Sequence, residues 1–237
     1  DSYMEAYRRT GEKRVVDTTR QVEAVRASGE RFPVEMSMSE VDVNGRALFT
    51  AIVRDITERR RMEETILRMA HYDALTALPN RTLFFDRLTP ETAVARRRGE
   101  RLALLYVDLD GFKHVNDTYG HHAGDLLLLA VGQRLRECTR ASDTVGRLGG
   151  DEFALVLPGV AHRRDADAIA AKIVHACSAP FILDDAIVSA GASVGVGVFP
   201  DDGAFIDEVM KIADERMYAA KRAAKALRAV QERAEAA

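Results

Sequence analysis

The sequence predicts an α/β (α+β) fold, a mixed β-sheet flanked by helices, preceded by a small antiparallel sheet and a linker helix. Three observations predict it. Leu102 to Val107 is a continuous apolar run, as in a strand buried on both faces. Val34, Met36 and Met38 alternate with polar neighbours, the period-two pattern of half-buried strands. Ile206, Val209, Ala213 and Met217 recur at helical spacing and define the buried stripe of a long last helix.

In chain order, the first nine residues read as helical. Val22 to Val25, the Ser28-Gly29 turn and the alternation from Val34 follow as strands and a connection. Asn44-Gly45, between Val41-Asp42-Val43 and Ala47 to Val53, is a type I′ hairpin signature. Residues 15–55 are thus expected as an antiparallel meander, too small to bury much core alone. From Arg54 to Arg61 the chain is charge-dense, and Met62, Ile66 and Met69 then recur at four- and three-residue steps. This predicts a helix with a narrow apolar seam, either a short parallel coiled coil between protomers or a linker helix packed on its own domain.

A second domain starts near His71, and Leu78-Pro79-Asn80-Arg81 is a turn before an amphipathic helix. Asp108 and Asp110 close the buried strand, and Leu126 to Leu135 forms an apolar-rich helix. Gly149-Gly150 predicts a hairpin with Asp151 and Glu152 at its tip, followed by the strand Phe153 to Leu157. Residues 165–178 are helical, Ser193 to Phe199 is a strand with small residues at alternate positions, and Asp201-Asp202-Gly203 is a turn.

Composition excludes several classes. With 47% hydrophobic and 30% charged residues the chain is ordinary globular protein, and a net charge of −3 argues for neither nucleic acid nor membrane as partner. Cys138 and Cys177 show no metal spacing and no disulfide framework, which fits a reducing cytoplasm. The longest purely apolar run, Leu126 to Val131, is too short to cross a bilayer, although a parent protein could be anchored through other segments.

The chemistry-bearing residues cluster around the hairpin. Carboxylates beside bare glycine backbone suit a divalent ion and a bound phosphate, and acids at neighbouring strand ends hold Mg²⁺ in company with substrate oxygens. The hairpin alone reads equally as a surface turn with two solvated acids. Asp108 and Asp110, two apart, point to one face, and either could be a ligand. Asn116, Asp117 and Asp125 offer donors and acceptors suited to a purine edge, or serve as turn and cap residues. His114, His121 and His122 lack a completing Cys or acid at zinc spacing and read as solvated loop residues. Lys221 and Lys225, one helical turn apart, could clamp a polyphosphate or form a solvated face. There is no P-loop, and the glycines at 191, 195 and 197 lie inside a strand pattern, against a dinucleotide fold.

Together these pieces resemble the GGDEF family of diguanylate cyclases, from residue 71 to about 225. The resemblance rests on Asp73 to Arg81, Asp108-Leu109-Asp110-Gly111-Phe112-Lys113, Asn116-Asp117, Gly120 to Asp125, the signature Gly149 to Phe153, and Ala213-Asp214 with Tyr218 and Lys221. It implies a fold similar to the palm of nucleotidyl cyclases and polymerases. It implies condensation of two GTP into cyclic di-GMP with release of two pyrophosphates, dependent on Mg²⁺ or alternatively Mn²⁺. By the same resemblance Asp108 and Asp151 hold the metal with the Leu109 carbonyl, and Glu152 is a further ligand. Asn116 and Asp125 read guanine, and Gly149 and Gly150 admit the nucleotide. Lys113, Lys221, Lys225 and Arg147 neutralise phosphate, and Asp151 deprotonates the attacking 3′-hydroxyl. Arg140-Ala141-Ser142-Asp143 matches the family's Arg-x-x-Asp product-inhibition motif, five residues before the signature. A two-fold cyclic product implies a homodimer.

The chain departs from the family pattern at two places. Lys221-Arg222-Ala223-Ala224-Lys225-Ala226 stands where the family often has Lys-x-x-Gly-Arg-Asn, and Ala77 replaces a frequent Gly. Residues 12–56 resemble the last strands of a PAS sensor domain, through Gly29 to Glu35 and Val53 to Arg59. The expected organisation is a PAS remnant over 1–56, a signalling helix over 57–70, a GGDEF domain over 71–228 and a helical tail over 229–237. The rival reading is a catalytically weak GTP-binding module controlling a neighbouring domain such as a phosphodiesterase. The acids and lysines of the site argue against it.

Overall fold

The computed structural model of the protein describes residues 18–44, 46–184 and 186–235. The helix expected over the first nine residues, Gly45 of the Asn-Gly pair and the last two residues lie outside them. The chain divides into two units, Asp1–Arg68 and Met69–Ala237.

In the first unit, β1 (Thr18–Val25), β2 (Arg31–Val43) and β3 (Arg46–Asp55) form an antiparallel sheet in sequence order. Its alternating pattern places Val22 opposite Val34, and Met36 opposite Val53, on one face. Helix α1 (Thr57–His71) starts where Asp55 Oδ1 accepts the Thr57 N–H at 2.9 Å. Met62, Ile66 and Met69 of its expected seam are 63%, 66% and 69% exposed.

The second unit contains α2 (Arg81–Arg98), β4 (Arg101–Asp110), α3 (Phe112–Cys138), β5 (Thr144–Gly149) and β6 (Glu152–Val160). It continues with α4 (Arg163–Ser178), β7 (Phe181–Leu183), β8 (Ala186–Val188), β9 (Gly191–Phe199) and α5 (Ile206–Glu235). The main sheet has the order β5-β6-β4-β9. The sheet expected to be mixed is antiparallel at each described pairing. The reason is topological: the crossovers β4-α3-β5 and β6-α4-β9 each skip a strand, and an antiparallel strand fills the gap. Parallel relations exist in the sheet, but not between neighbours.

Odd-numbered residues of β4 (Ala103, Leu105, Val107, Leu109) pack with Leu127, Val131 and Leu135 of α3 and Ile173 of α4. Even-numbered Leu102 and Leu104 pack with Phe84 and Leu88 of α2 and Val209 and Ala213 of α5. The strand is therefore buried on both faces, as its unbroken apolar run requires. Asp108 and Asp110 continue the even register at the strand's end. On β9, a Cβ added to Gly195 would fall inside the Ala213 carbonyl and the Met217 amide, so α5 rests directly on the strand backbone.

An ion-pair cluster locks α4, the end of β9 and α5 together. Asp202 Oδ2 lies 2.7 Å from Arg163 Nη1 and 2.8 Å from Arg216 Nη1, and accepts the Val198 N–H at 2.8 Å. Burial works against the Asp202 charge, but Arg216 and Arg163 outweigh it and hold its carboxyl down at about 2. A depressed carboxylate contributes stability that is present above its unfolded value and is lost as pH falls through its folded value. Asp202→Asn is therefore expected to cost about 2 kcal/mol near neutral pH. In urea titrations the gap to wild type should close as pH drops from about 4 toward 2.

Candidate active site

Strand β4 delivers Asp108 and hairpin β5–β6 delivers Asp151. Asp108 pairs directly with Glu152 across the strands, so the two carboxylates share a face. The turn is Gly150-Asp151, with Gly149 paired to Glu152, so Glu152 opens β6 and is not at the tip as expected. Gly149 and Gly150 have φ of 147° and 54°, backbone that glycine alone adopts freely. The Leu109 N–H donates to the Asp151 carbonyl at 3.3 Å, which ties the turn to the end of β4.

Asp108 is buried, and the Lys221 ammonium donates to its Oδ2 at 2.7 Å. Oδ1 lies 2.6 Å from the same nitrogen, within ion-pair distance but without a directed hydrogen bond. Burial pushes the Asp108 carboxyl above the ordinary range and Asp151 adds to this, while Lys221 opposes it. Burial also works against the Lys221 charge, but Asp108, Asp151 and Asp110 outweigh it and hold the ammonium above the ordinary lysine value. Asp110, the other candidate ligand of the pair, instead accepts from Ser193 Oγ at 2.9 Å.

Among the described residues no three His, Cys, Asp or Glu side chains converge tightly enough to hold a metal unaided. The residues still fit Mg²⁺. The donors are hard oxygens, the buried Asp108 Oδ1 receives no directed hydrogen bond and is faced only by the Lys221 ammonium, and Mg²⁺ takes one or two carboxylates together with substrate phosphate. Glu152 lines a cavity of about 390 Å³ with Arg81, Tyr106, Asp214 and Lys211. Arg81 and Asp214 belong to sequence motifs that carried no assigned role.

Arg147, expected to neutralise phosphate, is engaged within the domain. Its Nη1 donates to Asp73 Oδ1 at 3.0 Å, and its Nε and Nη2 donate to the Gly150 carbonyl at 3.0 and 2.8 Å. It is a brace: the Arg147 N–H also donates to the Pro79 carbonyl, and the Asn80 N–H to that of His71. The sequence does not reveal this, because Asp73 and Arg147 are 74 residues apart and a turn arginine beside acids reads as a ligand for anions.

Helix α3 starts at Phe112, so Asn116, the three histidines and Asp125 lie on a helix rather than in loops. Gly120 breaks it, with φ 84° and ψ 165°, between Asn116 and Asp125. A Cβ at Gly124 would collide with the Asn116 side chain, 2.9 Å from its Cγ. Gly124 thus leaves room for the Asn116 amide beside Asp125, a role the sequence reading missed. Lys113 and Lys225 are exposed on their helices.

Arg140 and Asp143 lie on a separate turn. Asp143 Oδ2 accepts the Arg140 N–H at 2.8 Å, and the Asp143 N–H donates to the Arg140 carbonyl at 3.0 Å. Both line a cavity of about 370 Å³ with Arg87, Arg136 and Tyr72, so two further arginines join the expected one.

Comparison with known proteins places the second unit in a family. The family model "Diguanylate cyclase, GGDEF domain" matches residues 70–226. The Pseudomonas aeruginosa bifunctional diguanylate cyclase/cyclic di-GMP phosphodiesterase MucR is 46% identical over 167 residues, which cover 70% of this chain and 24% of MucR. Diguanylate cyclase TpbB of the same species is 40% identical over 169 residues, covering 71% of this chain and 39% of TpbB. The chain thus spans well under half the length of either relative. Among solved structures, the TpbB GGDEF domain superposes with a TM-score of 0.62 at 42% identity, over 64% of this chain and 89% of that one. The coiled coil and GGDEF domain of Caulobacter crescentus DgcB, in complex with c-di-GMP, gives 0.63 at 28% identity, over 71% and 89%. A family match over residues 70–226, a stretch that contains the site built above, makes this protein a member of the GGDEF diguanylate cyclase family.

Proposed function

We propose that the protein is an active diguanylate cyclase that condenses two GTP into cyclic di-GMP and two pyrophosphates, using Mg²⁺, which Mn²⁺ can replace. The observation that carries this reading is the junction of β4 and the hairpin, where Asp108 and Glu152 share a face and the Leu109 N–H holds the Asp151 carbonyl. In this reading Asp108, Asp151, Glu152 and the Leu109 carbonyl hold the ion. Bound there, it supplies positive charge against the α-phosphate and leaving group. Asp151 accepts the proton of the 3′-hydroxyl. Asn116 and Asp125 take the guanine edge, with Gly149 and Gly150 leaving backbone room. Lys113, Lys221 and Lys225 offset phosphate charge. Incubation with GTP and Mg²⁺ tests it: accumulation of cyclic di-GMP supports the enzyme, and GTP binding without product supports the regulatory module instead.

Each site holds one GTP, so ring closure needs two protomers facing across a C₂ axis. The exposed Met62, Ile66 and Met69 of α1 supply an apolar seam for that pairing. Met62→Glu with Ile66→Glu is expected to lower cyclase activity about tenfold at low protein concentration while GTP binding persists. Equal activity of variant and wild type across a dilution series would remove the seam from the mechanism.

The Arg140–Asp143 turn is proposed as the product-inhibition site, supported by the cavity that Arg87, Arg136 and Arg140 line. Guanidinium groups bind phosphate bidentately and stack on purines. Arg140→Ala is expected to raise the cyclic di-GMP concentration for half-inhibition about tenfold, read from progress curves.

The organisation proposed is a PAS remnant over 1–56, supported by the three-stranded sheet, a signalling helix over 57–70, the cyclase domain over 71–228 and a helical tail. No described helix is long and apolar enough to cross a membrane, and a cytoplasmic site of action is part of the proposal.

A further inference from the structure

Lys221 stands on the carboxylate that the proposed function gives to the metal. Its ammonium lies 2.6 Å from Asp108 Oδ1 and donates to Oδ2 at 2.7 Å, so one cation covers both oxygens. The Asp108 side chain is 7% exposed and that of Lys221 is 42% exposed. A second cation approaching Asp108 must therefore enter where the ammonium already sits. Mg²⁺ binds carboxylate oxygen at about 2.1 Å, which would set the two cations roughly 4 Å apart on one partly buried carboxylate. Sharing is strongly unfavourable at that separation, so one of them has to leave.

The lysine is the one that can leave. Its four-carbon stem is flexible and more than a third exposed, whereas Asp108 is fixed at the end of a strand buried on both faces. The same lysine is expected to contact nucleotide phosphate, and an ammonium drawn toward a phosphate gives up its close hold on both oxygens of Asp108. We propose that Lys221 and the divalent cation compete for Asp108, and that nucleotide phosphate relieves the competition by drawing the ammonium onto itself. Metal and nucleotide then enter as a coupled pair, each raising the affinity for the other by the same factor. This rests on the reading of Asp108 as a metal ligand.

The test is Mn²⁺ binding, followed calorimetrically on the full chain without nucleotide. Lys221→Met keeps the apolar stem and removes the charge, and is expected to bind Mn²⁺ about tenfold more tightly than wild type. Arg222→Met removes the same charge from the next, exposed position of α5 and is expected to stay within about twofold of wild type. Addition of α,β-methylene GTP should tighten Mn²⁺ binding more in wild type than in Lys221→Met. Unchanged or weaker Mn²⁺ binding in Lys221→Met, or no binding in either protein, overturns the competition. An equal gain in Arg222→Met overturns it too, because the effect would then belong to net charge. Asp108→Asn in the Lys221→Met background separates the two levels. Mn²⁺ binding that survives there undiminished refutes Asp108 as ligand, whereas binding that requires Asp108 but ignores Lys221 refutes only the competition.

Discussion

Asp151→Ala is expected to reduce cyclic di-GMP formation by about three orders of magnitude and to leave the fold intact. The turn survives because what fixes it is backbone. The Leu109 N–H meets the Asp151 carbonyl, Arg147 holds the Gly150 carbonyl, and neither contact uses the Asp151 carboxylate. Asp151 is half-buried at the tip of the hairpin. In the proposed function its removal takes away both a metal ligand and the acceptor of the 3′-hydroxyl proton, two functions that act on the same step. Product formation under saturating GTP, with thermal unfolding run in parallel, reads both halves. Retention of more than a tenth of wild-type turnover would contradict the role given to Asp151.

Gly195→Ala is expected to destabilise the protein by about 3 kcal/mol and to shift its unfolding midpoint down by roughly 10 °C. The added methyl would fall inside the Ala213 carbonyl and the Met217 amide and only 2.8 Å from Met217 Cβ, all on α5. Main-chain atoms of a packed helix cannot turn aside as a side-chain end can. Relief requires α5 to lift from the sheet as a body, and Gly197, 2.5 Å from the Val209 carbonyl by the same measure, shows that the close seat extends a further turn. Lys221 lies one turn beyond Met217, so the lift also moves its ammonium from Asp108. Activity should therefore fall even at temperatures where the variant stays folded. A midpoint within about 2 °C of wild type would mean that the contact is relaxed elsewhere.

Much of this arrangement was legible in the sequence, and what was not has physical reasons. The buried strand and its terminal acids could be read because burial on both faces demands an unbroken apolar run and a carboxylate at its end is conspicuous. The glycine turn could be read because positive φ demands glycine. Strand direction could not, since an alternating or apolar pattern is the same in either sense, and so an antiparallel sheet was expected as mixed. The start of α3 at Phe112 is hidden because Lys113-His114 and Asn116-Asp117, on either side of Val115, are polar and resemble loop chemistry. The Arg147 brace is hidden for a different reason: its partner Asp73 is distant in sequence, and only the fold brings the two together. The β7–β8 hairpin escaped notice because its strands are three residues each and its cross-strand pair, Ile182 and Ile187, faces outward.

The Asp73–Arg147 brace ties the doorway of the second unit to the turn of its β5–β6 hairpin. Helix α1 ends at His71, whose carbonyl is held by Asn80, and Asp73 follows at once. From there a single ion pair leaps 74 residues to Arg147, and the same guanidinium grips Gly150, the neighbour of Asp151. A twist applied to the end of the helix would thus be handed to the Asp151 peptide through two side chains, like a cable running outside a wall. The hydrophobic core need not move for the message to arrive, so rigidity of the domain and responsiveness of its turn are not in conflict.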